Sequence, residues 1–202
     1  MEINPKLQKS LEKDEFPGYG KICLIGNSTC GKTSLYWRVH TREFQETFWY
    51  TSDNPNLVYE NFLMSLWDLP CRDGYDQLRT LSYPEAHLAL ACFSLVDRDS
   101  FDSIRNKWIH ELRFHLKDTP IILVGCKHDL REEIIKSSTH QDNQSIVTSE
   151  EAEEFAKSFG FISYWENSSK SGFGMKNFME ILVNGCTYQP NIVKPKKKCL
   201  IQ

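Results

Sequence analysis

The chain is expected to fold as a doubly wound α/β protein, a mostly parallel six-stranded sheet with helices on both faces, and three features of its 202 residues lead to that expectation. Apolar runs of strand length alternate with stretches whose apolar residues recur at helical spacing. Residues 87–96 are almost continuously apolar, as a strand buried on both faces requires. Finally, a strand-like run at 21–25 and a helix-like run at 33–39 flank Gly26-Asn27-Ser28-Thr29-Cys30-Gly31-Lys32-Thr33, which fits G-x-x-x-x-G-K-[ST].

Residues 1–19 are polar and charged, contain Pro5 and Pro17, and read as an extension with no assigned function. In the 26–33 loop the glycines let the backbone curl until its N–H groups face inward. Lys32 then reaches the β- and γ-phosphates of a nucleotide, and the Thr33 hydroxyl is placed for Mg²⁺. The following helix adds the positive field of its N-terminus. An ordinary glycine-rich turn is the alternative, and the flanking strand and helix weigh against it. Residues 41–56 lack clean periodicity, and their aromatics, Phe44, Phe48, Trp49 and Tyr50, fit a loop packed on the core. Residues 57–68 read as a hairpin turning near Glu60-Asn61 and ending at Asp68. Asp68 is either the acidic residue that shares Mg²⁺ with the loop hydroxyl or a solvated strand-end carboxylate.

Residues 69–84 are polar and turn-rich. After the buried strand, Asp99 and Ser100 can cap a helix whose Phe101, Ile104, Trp108 and Leu112 share one face, a core stripe. A short strand at 121–124 leads into Gly125-Cys126-Lys127-His128-Asp129, and residues 131–147 form a polar insert. Thr148 with Glu151 makes a capping box for a helix to about residue 159, followed by a strand at 161–165 and a helix at 175–183. Ligands of such a sheet gather at the carboxyl ends of its strands, where Gly26, Asp68, Asp129 and Ser168 all fall.

Composition excludes several classes. A net charge of −3 and a pI near 6.1 give no general attraction to nucleic acid, and the clear basic cluster is at the extreme C-terminus. Seven irregularly spaced cysteines suit free thiols in a reducing compartment. No apolar run reaches the length of a membrane span and the start has no signal-peptide core, so a cytosolic protein is the default expectation.

A phosphate cradle does not choose a base, but the Asp129 carboxylate in Lys127-His128-Asp129 can accept from guanine N1–H and the 2-amino group, donors that adenine lacks there. The order P-loop, Thr51, Asp68, Lys127-x-Asp129 and Ser168-Ser169-Lys170 resembles the Ras superfamily of small GTPases over roughly residues 21–185. A P-loop ATPase or kinase is disfavoured, with no lid-like arginine cluster in view. The Rho family is the closest match, through Leu66-Trp67-Asp68, Tyr75-Asp76-Gln77-Leu78-Arg79, Leu81-Ser82-Tyr83-Pro84, Cys92-Phe93-Ser94 and Ile121-Ile122-Leu123-Val124-Gly125, with residues 131–147 in the place of the Rho helical insert. The resemblance implies the small G protein fold, GTP or GDP as ligand, and Mg²⁺ on Thr33, Thr51 and Asp68. It implies nucleotide contacts from Ser28, Thr29, Cys30, Gly31, Lys32, Thr33, Ser34, Cys126, Lys127, Asp129 and Ser168, with Phe44 against the guanine, Thr51 closing on the γ-phosphate, Ser169 offering its N–H and Lys170 packing on the base. It also implies effector proteins, exchange factors and a GDP-dissociation inhibitor as partners.

The departures from that pattern concentrate on hydrolysis. Where the family reads Asp-Thr-Ala-Gly-Gln, this chain reads Asp68-Leu69-Pro70-Cys71-Arg72. The water-orienting glutamine is replaced by Arg72, whose guanidinium donates but does not accept, and the glycine by Cys71, so no catalytic residue is assigned. Ser28 stands where a glycine normally leaves room for an arginine finger. With Cys126 for the usual asparagine, this is similar to the hydrolysis-deficient Rnd subgroup, though only in part, and the Cys126 change should loosen the joint between base loop and P-loop. Residues 51–68 are five shorter than expected, trimming a hairpin that effectors commonly contact.

The chain ends Lys194-Pro195-Lys196-Lys197-Lys198-Cys199-Leu200-Ile201-Gln202, a C-a-a-X box whose final Gln points to farnesyl on Cys199, with four lysines as a second signal for anionic lipid. The expected organisation is an extension (1–19), a GTP-binding domain (20–187) and a polybasic tail (188–202), acting at the cytoplasmic face of the plasma membrane or an endomembrane with a cytosolic pool. The expected role is a nucleotide switch in cytoskeletal or polarity signalling with impaired hydrolysis. The alternative is a non-enzymatic scaffold that binds nucleotide only structurally or not at all, motivated by Cys71 and Cys126.

Overall fold

Alternation of side chains along each strand builds two cores, one on either face of a single sheet. The computed structural model describes residues 18–47, 56–72, 74–137 and 145–189. Its strands are β1 (Gly18–Ile25), β2 (Asn56–Tyr59), β3 (Phe62–Asp68), β4 (Leu88–Ser94), β5 (Ile121–Cys126) and β6 (Ser163–Glu166). They run in the order β2-β3-β1-β4-β5-β6, parallel throughout except for the β2–β3 hairpin, where Glu60 takes φ 52° in the turn. Cys23, Ile25, Ala89, Ala91, Phe93, Ile121 and Leu123 face one side; Ile22, Leu24, Leu88, Leu90, Cys92, Ile122 and Val124 face the other.

The helices that cover these faces are α1 (Lys32–Thr41), α2 (Asp76–Leu81), α3 (Arg98–Ser103), α4 (Ile109–His115), α5 (His128–Ser137), α6 (Ser149–Ser158) and α7 (Phe178–Cys186), with a π-helical turn, Ile104–Trp108, joining α3 to α4. The predicted stripe Phe101, Ile104, Trp108 and Leu112 is buried in the first core, with Ala152 and Phe155 of α6 beside it. Leu35 and Tyr36 of α1 and Phe178 and Leu182 of α7 fill the second.

Several local expectations need correction. β1 begins at Gly18, inside the stretch read as an extension, and β5 runs on to Cys126. The cap of α3 is Asp97, whose carboxylate accepts from Ser100 N–H at 3.3 Å, while Asp99 and Ser100 lie in the first turn. Thr148 Oγ1 accepts from Glu151 N–H at 3.2 Å, but the Glu151 carboxylate pairs with Arg98, so only half of the capping box forms. The ends of the polar insert are bolted to the core: Arg131 is buried on α5, and Val147 N–H donates to Leu95 O at 3.0 Å.

The largest correction is at 69–84, read as turn-rich, which contains α2 and a fully buried guanidinium. Arg79 donates from Nε to Glu111 Oε1 at 2.7 Å, from Nη2 to Glu111 Oε2 at 2.8 Å and from Nη1 to Pro70 O at 3.0 Å, and it pairs with Asp76. Tyr83 donates its hydroxyl to the same carboxylate at 2.5 Å. Burial alone would raise the Glu111 pKa; the bonds from Arg79 and Tyr83 outweigh it and hold the carboxyl below its usual value. Its contribution to stability is therefore complete at neutral pH and fades as pH falls through that depressed value. Replacing Glu111 with Ala strands a buried cation, and we expect a loss of about 3 kcal/mol at neutral pH, seen as a lower urea midpoint, with the difference from the parent shrinking at acid pH.

Candidate functional site

All five parallel strands end at one edge of the sheet, because the register pairs Leu24 with Asp68, Ile25 with Ala91, Ser94 with Cys126 and Gly125 with Glu166. The P-loop leaves β1 at that edge. Gly26 has φ 143°, and a Cβ there would lie 2.0 Å from Cys92 O; Gly31 has φ 116°, and its Cβ would lie 2.8 Å from Cys126 Cβ. Both glycines are required by close approach to β4 and β5 as well as by backbone conformation. Gly31 O accepts from Leu35 N–H at 2.9 Å, α1 has no side-chain cap, and its first N–H groups remain for an anion.

Lys32 is buried. Its Nζ donates to Gly26 O at 2.9 Å and Asn27 O at 2.6 Å, which holds the ammonium across the mouth of the loop. Burial opposes its charge, and the surrounding Cys30, Cys71 and Asp68 side chains more than offset that, leaving its pKa above the usual lysine value. Asn27 is itself pinned from behind: Trp108 Nε1–H donates to its Oδ1 at 2.7 Å, and its Nδ2 donates to Ser103 Oγ at 2.9 Å. The π-helical turn thus carries a tryptophan that braces the phosphate loop.

Thr33 Oγ1 donates to Asp68 Oδ2 at 2.5 Å, while Asp68 Oδ1 is buried without a hydrogen-bond partner among the described residues. Burial raises the Asp68 pKa, against the pull of Thr33 and Lys32. An orphaned carboxylate oxygen beside a hydroxyl fits a hard divalent cation. Mg²⁺ takes only one or two protein carboxylates, and here Asp68 with Thr33 would hold it.

On the base side, Lys127 turns the chain with φ 65°, and Asp129 lies in the first turn of α5. Arg131 fixes that helix by donating to Val147 O at 3.1 Å and Glu166 Oε1 at 2.9 Å, and Glu166 also accepts from Tyr164 and Ser149. Ser168 and Ser169 are buried, Lys170 is exposed, and Ser168 Oγ accepts from Ser171 N–H at 2.9 Å. Phe173 stacks on His128 with ring centres 3.6 Å apart, joining the two base-side loops.

Residues 21–187 match the profile of the Ras family. The chain is 33% identical to GTP-binding protein RHO1 of Saccharomyces cerevisiae, over 90% of this chain and 94% of that protein. It is 33% identical to GTP-binding protein rho5 of Schizosaccharomyces pombe, over 90% and 96%, and 35% identical to Rho-related GTP-binding protein RhoD of Homo sapiens, over 74% of each. The chain is a Rho-family small GTPase.

In this Rho-family fold the anticipated residues fall into two groups. Lys32, Thr33 and Asp68 meet at the phosphate end, and Cys126, Lys127, Asp129, Ser168 and Ser169 at the base end. Cys30 is fully buried, its Sγ accepting from Lys32 Nζ at 3.8 Å; Ser28 and Thr29 are exposed, and Ser34 is half-buried. Phe44 is 36% exposed on the loop after α1. Thr51 and Cys199 lie outside the described residues. After β3, Cys71 packs against the first core within electrostatic reach of Lys32, and Arg72 is exposed. Sequence reasoning missed Asn27, Trp108, Asn167 and the His128–Phe173 stack, whose partners are far apart in the chain. No helix among the described residues is long and apolar enough to cross a membrane.

The raised Asp68 pKa yields a signed expectation. Without metal, the folded protein loses stability as pH rises from the ordinary carboxylate value through the raised one, because the buried group must ionise. Asp68→Asn should therefore melt at or above the parent at neutral pH without metal, yet gain less on adding Mg²⁺ and GDP, a comparison made by thermal denaturation with and without chelator.

Proposed function

We propose that this GTPase is a membrane-attached guanine-nucleotide switch that hydrolyses GTP slowly, persists in its GTP-bound form and signals through effector proteins to the cytoskeleton or to cell polarity. The observation that carries this reading is the contrast between a complete phosphate cradle and an altered segment beside it. Lys32, the P-loop N–H groups and the α1 N-terminus are set for the β- and γ-phosphates. Thr33 and Asp68, with Thr51 by resemblance, would hold Mg²⁺, which when bound neutralises charge between the β- and γ-phosphate oxygens.

Hydrolysis requires a water oxygen to attack the γ-phosphorus as the bond to the β,γ-bridging oxygen breaks, releasing GDP and phosphate. At the position that should orient that water, Arg72 is exposed and only donates hydrogen bonds. The neighbouring Cys71 faces the core, and Pro70 O is occupied by Arg79, which ties the segment to α4. The exposed Ser28 side chain at the loop mouth takes space that an activating protein's arginine would use. Control then passes to abundance, lipidation and partners, among them exchange factors and a GDP-dissociation inhibitor.

Attachment is assigned to farnesyl on Cys199 together with Lys194, Lys196, Lys197 and Lys198 on anionic lipid. The helix that precedes this tail, α7, ends with Cys186 beside Gly20 near the start of β1, the far end of that strand from the P-loop.

Protein purified gently with Mg²⁺ and then denatured should release GTP, identified by chromatography, and single-turnover hydrolysis should run well below that of an ordinary Rho protein assayed alongside. Bound GDP with normal turnover would defeat the slow-hydrolysis reading; no nucleotide at all would favour the scaffold alternative. Cys199→Ser should move the protein from the membrane fraction to the soluble one, and unchanged partition would exclude the lipid anchor.

A further inference from the structure

The two base-side loops share a buried contact centred on Asn167, the residue before Ser168. Asn167 is fully buried. Its backbone ties one loop to the other, N–H donating to Gly125 O at 2.8 Å and C=O accepting from His128 N–H at 3.1 Å. Its side chain repeats the tie, Nδ2 donating to Gly125 O at 3.3 Å and reaching Cys126 Sγ at 3.5 Å. Cys126 backs in turn onto the P-loop, since a Cβ on Gly31 would come within 2.8 Å of Cys126 Cβ. Direct contacts thus run from the Ser168 loop through Asn167 and Cys126 to the loop that cradles phosphate.

The chemistry of this contact suits a carboxamide. A thiol at 126 is small, compact and a weak hydrogen-bonding group, so this end of β5 has no strong side-chain donor of its own. Asn167 supplies two N–H donors from the opposite loop. Its Oδ1 is buried without a partner among the described residues, a cost that an apolar side chain of similar volume would avoid, so space-filling does not account for the amide.

We propose that Asn167 is a positioning residue for base recognition, clasping the Gly125–Cys126 end of β5 so that the Lys127-His128-Asp129 loop is held against the P-loop at the span of a single guanine nucleotide. The inference rests on the guanine-nucleotide reading above. It explains how a chain with Cys126 in the base loop keeps that loop joined to the phosphate loop. It also assigns the base end, not the phosphate end, as the place where loss of Asn167 is felt.

The test uses the full chain loaded with fluorescent GDP or with the matching inosine nucleotide, which lacks the 2-amino donor. Asn167→Cys, and Asn167→Asp as a near-isosteric second variant without the N–H donors, should release GDP about tenfold faster than the parent. The preference for GDP over the inosine nucleotide should narrow as Asp129 loses its alignment. Moving the carboxamide to the other end of the contact, in the double variant Cys126→Asn with Asn167→Cys, should restore most of the retention and the preference. Equal acceleration for both nucleotides with the preference intact would reduce Asn167 to packing and overturn the proposal, as would unchanged release. A parent that retains neither nucleotide would overturn the guanine-nucleotide reading, and this inference with it.

Discussion

Lys32 is an ammonium group in the protein interior, and most of the site follows from keeping it there. A buried cation without compensation costs several kcal/mol, so it has to be met by oxygen atoms held in place by something else. Gly26 O and Asn27 O meet it directly, and Asp68 adds charge of the opposite sign. Those carbonyls face inward only because the loop curls tightly at the end of β1, where Gly26 abuts the backbone of β4 and Gly31 abuts Cys126. The sheet register, the glycines and the bracing of Asn27 by Trp108 and Ser103 are parts of one arrangement. A phosphate group completes it, because its charge takes up the donors that the loop and the α1 N-terminus leave over.

The segment after β3 is governed by a second buried cation. Arg79 is satisfied by Glu111, Asp76 and Pro70 O, and through Pro70 it fixes the backbone one residue before Cys71. In a nucleotide switch this segment has to respond to the γ-phosphate. Here it is tied to α4 by a network whose rupture would strand a charge, which favours a narrow range of conformations near the phosphates. Cys71 directed toward the core and Arg72 toward solvent belong to the same arrangement. The proposed slow hydrolysis rests on how the segment is anchored as much as on the replacement of a glutamine by Arg72.

The base end uses a different device. Arg131, Glu166, Tyr164 and Ser149 form a buried network beneath α5 and β6, His128 and Phe173 stack across the loops, and Asn167 ties the loop backbone to β5. Cys126 backs onto Gly31, whose added Cβ would come within 2.8 Å of Cys126 Cβ, and its Sγ is reached by Asn167 Nδ2 at 3.5 Å from the neighbouring loop.

Local order in the chain determined the fold class, the P-loop, the β2–β3 hairpin ending at Asp68 and the core stripe on α3 and α4, because each depends on residues within a few positions of one another and on periods of two or 3.6. The expectation of guanine is likewise a local reading, made from the single carboxylate in Lys127-His128-Asp129. Helix α2 was not legible, because the carboxylate that anchors its buried Arg79 to the core is Glu111, 32 residues further along the chain. The buried, unpartnered Oδ1 of Asp68, the bracing of Asn27 by Trp108 81 positions away and the contacts of Asn167 with β5 were equally hidden. Burial and long-range hydrogen bonding arise only when strands distant in sequence come into register, so the chain by itself named the chemistry, and the tertiary structure decided which side chains hold it in place.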